Sequence, residues 1–244
     1  RIISDNTLAY NTGVGSHEIN ALVGATFQKR IAQNSIINGT GYSNDLLKNL
    51  QGATLVTLGE EINADQNKIG YFARINYAFD NKYLINASFR RDGSSVFGVD
   101  SKWGNFPAVS IGWNVAKENF LVDSEIVSNL KFRASFGLTG SENFNVGNDI
   151  VNAWPYLALI QNTNAGGVQG VSPLNIANPD LQWEASEELT VGLDYGFVNN
   201  RISGTIDYYQ RNSDQLLLNN PVSYLTGFNQ GIVNLGEVQN RGWE

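Results

Sequence analysis

Residues 90–120 read RRDGSSVFGVDSKWGNFPAVSIGWNVAKENF, and the two halves of this stretch follow different rules. The first half is turn material, with Asp, Gly and Ser in quick succession. The second half alternates: Val109, Ile111, Trp113 and Val115 fall on one face, and Ala108, Ser110, Gly112 and Asn114 on the other. Period two is the mark of a strand with one apolar face. Such a strand lays that face either on a protein core or against lipid, and the rest of the chain has to decide between them.

The same alternation recurs along the sequence. Ile19, Ala21, Val23, Ala25 and Phe27 oppose Asn20, Leu22, Gly24, Thr26 and Gln28; Ile69, Tyr71, Ala73, Ile75, Tyr77 and Phe79 oppose Gly70, Arg74 and Asn76. After a tight turn at Asp80-Asn81-Lys82, Tyr83, Ile85, Ala87 and Phe89 continue the apolar face. Further on come Leu130, Phe132, Ala134, Phe136 and Leu138, then Leu189, Val191, Leu193, Tyr195 and Phe197. A turn at Asn199-Asn200 leads to Ile202, Gly204, Ile206 and Tyr208. A last segment is expected from near Ile232, and the stretch before Tyr10 is expected to be the tail of one more strand. Little helix is expected.

The connections separate the two readings. Asp80–Lys82 and Asn199–Asn200 are tight, and Ala116–Asn129 is modest, with a helical turn expected at KENF. Arg30–Gln66, Asp92–Gly104, Thr139–Leu181 and Asn212–Gly231 are long. Short and long links alternate, so one end of the sheet carries turns and the other carries loops. Structureless loops beyond about fifteen residues are uncommon in compact domains, whereas outer-membrane barrels combine short periplasmic turns with long extracellular loops.

The two faces agree with that plan. Aromatics gather on the apolar face near the turn end (Tyr77, Phe79, Tyr83, Trp113, Tyr195, Phe197) and again toward the loop end (Phe89, Phe136, Tyr208), like a pair of interface girdles. Six residues from Tyr83 to Phe89 rise about 20 Å, against an apolar band of roughly 25 Å. The other face carries Arg74, Arg90, Lys131, Arg133, Glu188, Asp194 and Asp207, which suits a hydrated lumen better than a dry core. A soluble β-sheet carbohydrate-binding or adhesin domain shows the same alternation and stands as the alternative.

Composition narrows the function classes. The 244 residues are 42% hydrophobic, carry a net charge of −7, and include no cysteine and no methionine. An acidic balance argues against nucleic acid as a partner. Without cysteine there is no disulfide framework and no thiolate metal site. No apolar run is long enough for a membrane helix, and the first thirty residues show no leader pattern. Opening on Arg1 and closing on GWE, the chain is expected to be a piece of a longer protein.

Catalytic chemistry finds no support. His17 is the only histidine and stands at a strand start, where a solvated or girdle role is expected. Asp92-Gly93-Ser94-Ser95 lacks the spaced carboxylates of a calcium loop and is expected to be a turn. Gly166–Gly170 lacks the Lys-Ser/Thr of a phosphate loop and is expected to be a flexible extracellular loop. Glu187 and Glu188 are adjacent on a strand and point to opposite faces. No catalytic, cofactor or metal residues are assigned. Recognition remains: Tyr42, Trp154, Tyr156 and Tyr224 lie among Asn, Gln and Gly in the loops, a composition that stacks on sugar rings or contacts peptides. Packing of the loops against one another or against a partner is the other reading of these four.

Four segments carry a family resemblance. FRRDGSSVFGVDSKWGNFPAVSIGWNVAKENFL (Phe89–Leu121), NLKFRASFGLTGSEN (Asn129–Asn143), NPDLQWEASEELTVGLDYGF (Asn178–Phe197) and NLGEVQNRGWE (Asn234–Glu244) resemble, in order, the C-terminal barrel region of the SusC/RagA family of TonB-dependent outer-membrane proteins of Bacteroidetes. The loop from Arg30 to Asp65 carries least of it. The resemblance implies an all-β, antiparallel transmembrane β-barrel segment, part of a barrel of roughly twenty-two strands. Residues 1–244 would then form a partial barrel domain of roughly eight or nine strands, with plug, TonB-contact segment and signal peptide outside this chain. It also implies a cell outer membrane location and a non-enzymatic nutrient importer without cofactors. The implied partners are a SusD-like surface lipoprotein, the TonB complex through the N-terminal part, outer-membrane lipid, and an oligosaccharide or peptide ligand, with no nucleic acid. In that frame the Asp-Gly-Ser-Ser turn starts an extracellular loop, and the Trp113 strand returns through lipid toward the periplasm.

Overall fold

The computed structural model describes residues 1–46, 49–142 and 153–244. In chain order the strands are β1 (Ile2–Val14), β2 (His17–Thr40), β3 (Leu55–Phe79), β4 (Tyr83–Ser94), β5 (Trp103–Asn114), β6 (Val127–Ser141), β7 (Ile160–Ala165), β8 (Val168–Pro173), β9 (Glu184–Phe197), β10 (Ile202–Asp214), β11 (Leu217–Pro221), β12 (Gln230–Asn234) and β13 (Glu237–Trp243). Nine of them form one antiparallel sheet, ordered β1-β2-β3-β4-β5-β6-β9-β10-β13, while β7–β8 and β11–β12 are separate hairpins inserted in long links.

The turns explain why the meander closes where it does. Gly15 (φ 59°) links β1 to β2, Asp80 and Asn81 (φ 51° and 52°) link β3 to β4, and Val198, Asn199 and Asn200 (φ 52–57°) link β9 to β10. These left-handed conformations suit Gly, Asn and Asp; Val198 adopts one directly before two asparagines that favour it. A short 3-10 turn over Val115–Lys117 starts the β5–β6 link, two residues ahead of the helical turn expected at KENF.

Register places the expected apolar residues of the wall strands on one side, while Val115, expected to continue that face, is buried in the 3-10 turn. His17, Phe79, Tyr83, Trp113, Phe132, Leu193 and Ile206 form one row across the wall, and Thr12, Ile19, Tyr77, Ile85, Ile111, Ala134, Val191, Tyr208 and Trp243 form the next. The first row starts at the end of β2, yet it meets β10 four residues beyond Ile202. Rows therefore climb relative to the turns, as they do when strands tilt in a barrel wall. No packed layer covers the outward rows among the described residues: Ile85, Ile111 and Trp113 are 46%, 58% and 41% exposed.

Several links differ from expectation. Arg30–Gln66 is not a loop: β2 and β3 run on as a paired ribbon, so only residues 41–54 connect them. Polar residues interleave with the isoleucines of this ribbon because it has no core to face, which hides the period. Asp92–Ser94 belong to β4, paired with Trp103 and Gly104, so the turn begins only after them. Gly166 and Gly167 are the left-handed tip of the β7–β8 hairpin, where the Gly167 amide donates to Asn164 Oδ1 at 2.9 Å. Ile232 lies in β12, while the last wall strand begins at Glu237 after the left-handed Gly236. The Thr139–Leu181 link includes residues 143–152, and the resembling segment from Asn129 ends on the first of these; residues 143–152 lie outside the described residues.

Candidate functional site

The inner face starts from a row of small polar side chains. Asn11, Asn20, Asn76, Asn86, Ser110, Ser135, Thr190 and Tyr209 are register partners across eight consecutive wall strands. Asn20, Asn76, Asn86, Ser110, Ser135 and Thr190, with Lys131 and Arg133, line a hollow of about 470 Å³. Amides and hydroxyls facing this space present donors and acceptors without a fixed charge.

Charge enters on β6, β9 and β10. The Arg133 guanidinium donates to Asp194 Oδ1 at 3.1 Å and to Asp207 Oδ1 and Oδ2 at 2.9 and 3.0 Å, so one cation ties three strands together. The bridge passes over Gly192, whose missing Cβ would collide with both Asp207 and Arg133. Arg211 pairs with Glu188 two inner-face rows further toward the loops. Together these groups border a second hollow of about 550 Å³. Glu187 points away from this network, as adjacent strand residues must.

At the loop end the chain builds its core. Val96, Phe97, Leu181, Trp183, Leu217 and Ile232 are buried together, drawn from three different links. Trp183 packs on Phe97 (5.1 Å between centroids) and edge-on to Phe106 (5.6 Å), donates its indole N–H to the Lys102 carbonyl at 3.2 Å, and carries Lys68 Nζ 5.6 Å from its ring centroid. Phe106 and Lys68 share the inner-face parity of their strands, so the block leans over the inner side of β3–β5. Beneath it Asp92, almost wholly buried, pairs with Arg90 at 2.6 Å.

The four loop aromatics are not brought together in one site. Tyr156 packs on the buried cluster, and Trp154 is half-buried between buried Ala153 and Pro155. Tyr42 lays its hydroxyl over Gly39 in the β2–β3 ribbon. Only Tyr224 is fully presented, 81% exposed beside Leu225 at 98%. It sits on a one-turn knuckle where Ser223 Oγ accepts from the Leu225 amide and Thr226 Oγ1 donates to the Ser223 carbonyl at 2.8 Å. Leu225 was missed from sequence, because exposure of a lone Leu has no periodic signal.

At the turn end the girdle is tied down. Tyr83 Oη and Trp113 Nε1 both donate to Glu118 Oε1, at 2.6 and 3.0 Å, and these two bonds hold the Glu118 carboxyl below the usual glutamate range. His17 Nδ1 is 2.8 Å from Tyr77 Oη and its ring packs near Phe79, the girdle role expected of it. Among the described residues no cluster of three His, Cys, Asp or Glu side chains is arranged to hold a metal ion.

Comparison with known proteins agrees with this geometry. Residues 2–244 match the family described as TonB dependent receptor-like, beta-barrel. TonB-dependent receptor P39 of Formosa agariphila is 35% identical over 249 residues, covering 99% of this chain and 23% of the relative. TonB-dependent receptor SusC of Bacteroides thetaiotaomicron is 38% identical over 182 residues, covering 72% of this chain and 18% of SusC. In three dimensions the chain is similar to the RagAB peptide transporter, with a TM-score of 0.83 and 28% identity over 99% of this chain and 26% of that one. The chain spans about a quarter of the length of these relatives. These relatives are receptors and transporters rather than enzymes, and the match of residues 2–244 to a barrel family sets aside the soluble-sheet alternative.

Proposed function

The chain belongs to the TonB dependent receptor-like β-barrel family, and from that premise we propose that it forms part of the wall and outer brim of an outer-membrane importer that takes up oligosaccharides or peptides. Residues 1–244 are a portion of the barrel domain, and the unpaired edges of β1 and β13 join further strands of the same barrel. Import draws on TonB through a plug contributed by other parts of the receptor, and a SusD-like surface lipoprotein covers the loop end. The observation that carries this reading is the split between the faces: an apolar outer surface, and an inner surface of amides, hydroxyls and paired charges.

Within that reading the four aromatics divide by burial. Tyr156 and Trp154 hold the brim together, while Tyr224, with Leu225, contacts ligand or lid; Tyr42 stiffens the ribbon. A strain lacking the full-length receptor gene is expected to lose growth on one class of oligosaccharide or peptide at limiting concentration, with the receptor co-purifying with a lipoprotein in the wild type. Unchanged growth on every such nutrient, together with absence of a co-purifying lipoprotein, would refute the importer.

A further inference from the structure

The outward face changes character in a single step at the loop end of β3–β5. Ala73, Phe89 and Pro107 form one apolar row; the next outward row toward the loops is Tyr71, Arg91 and Asn105. Register partners on neighbouring strands stand about 5 Å apart, so a hydroxyl, a guanidinium and an amide are set side by side directly above a hydrocarbon surface. Trp103 covers this row from the loop side. Its indole lies flat over Gly93, where a Cβ would collide with the ring, and it stacks against Tyr71 at 6.4 Å. The Arg91 guanidinium rests 5.0 Å from the Trp103 ring centroid.

Arg91 differs from the other arginines of this region. Arg90, one residue earlier, faces inward and pairs with Asp92. Arg91 is exposed, its guanidinium lies over Trp103, and among the described residues it forms no ion pair with a carboxylate. A guanidinium stacked on an indole keeps its N–H edge free, and that edge matches the oxygens of a phosphate. An interfacial arginine ordinarily reaches for water; this one is stacked on Trp103, at the height where lipid headgroups begin. In a chain of net charge −7 an unneutralised cation on the lipid side selects for an anion.

We propose that Tyr71, Arg91, Trp103 and Asn105 form a site on the lipid-facing side of the wall for the phosphate-bearing headgroup of an outer-leaflet lipid. The phosphate is taken by the Arg91 edge with the Asn105 amide and Tyr71 hydroxyl beside it, Trp103 fixes the guanidinium, and the acyl chains lie along Phe89, Ala73 and Pro107. Such a lipid belongs to the wall permanently and holds the loop end of β3–β5 at a fixed depth.

The test uses the full-length receptor in a phosphate-free maltoside detergent, probed with lipid A bearing its phosphates and with the same lipid after their removal. Lipid retained per receptor is read by native mass spectrometry. The wild type is expected to keep the phosphorylated lipid and to lose the dephosphorylated one. Arg91→Gln is expected to weaken retention about five- to tenfold, the size of losing one charge-assisted pair, and Arg91→Lys to fall between. Trp103→Leu keeps the apolar bulk, removes the platform, and must weaken retention as well. Millimolar inorganic phosphate is expected not to displace the lipid. Equal retention by wild type and Arg91→Gln, equal retention of the phosphate-free lipid, or full displacement by inorganic phosphate would each overturn the proposal.

Discussion

The wall and the loop block bury their apolar residues in opposite ways. In the wall the large side chains stand outward and, among the described residues, are left exposed, and the side facing the interior is polar. In the loop block Phe97 and Leu181 are completely buried, and the chain packs as a water-soluble protein does. The wall thus takes its solvent from the membrane, and the block makes its own interior. Each region is stable only in its own surroundings, so a substitution tells which region it is in by what it costs and where the damage spreads.

The sharpest break lies in the block. Phe97→Ala removes a fully buried ring that packs on Trp183, and is expected to cost about 3–5 kcal/mol. The loss should stay local: limited proteolysis is expected to cut the links around residues 95–102 and 174–183 while the wall remains protease-resistant. Collapse of the wall along with the block would show that the two are not separate regions.

In the wall the comparison runs between adjacent residues. Ile111→Arg puts a charge into lipid and is expected to cost about 2–4 kcal/mol, read from denaturant titration of the receptor in lipid vesicles. Ser110→Arg, one residue away on the inner face, is expected to stay under about 1 kcal/mol. Equal costs would mean that both faces share one environment.

Smaller effects refine the inner face and the turn end. Asp207→Asn leaves Arg133 with Asp194 alone and is expected to cost about 1 kcal/mol, since the group is partly open to water. Glu118 gives a pH signature. Because its folded pKa is lowered, its stabilisation is fully present above the ordinary glutamate value and fades as the pH falls through the lowered one. Trp113 fluorescence is expected to shift in that acid range for the wild type and to be flat for Glu118→Gln.

Most of the wall was legible because one periodic signal decides it. Val109, Ile111 and Trp113 announce a face, and the tight turns at Asp80–Lys82 and Val198–Asn200 fix which strands meet. The block was not legible, because Phe97, Leu181 and the pair Leu217 and Ile232 come from three separate links and share no spacing. Their meeting depends on where the wall delivers the strand ends. The β2–β3 ribbon was hidden for a related reason: Ile31, Ile36 and Ile37 are exposed at 52%, 43% and 47% and have no common core to set a period. Of the loop aromatics, sequence marked recognition chemistry but could not separate Tyr156, which packs inward, from Tyr224, which does not. Ser94 illustrates the same limit, since it is 2% exposed beneath the block rather than at a loop tip, so Val99 at 84% is the better place for a surface label.

On β5 the odd-numbered residues from 109 to 113 are expected to lie in lipid and the even-numbered ones from 108 to 112 to line the interior. A spin label placed at each position from 108 to 113 of the full-length receptor in lipid vesicles tests it directly, by accessibility to oxygen against a water-soluble nickel chelate. Period two is expected, with oxygen accessibility peaking at Val109, Ile111 and Trp113 and chelate accessibility at Ala108, Ser110 and Gly112. Peaks in the opposite phase, or no alternation at all, would contradict it.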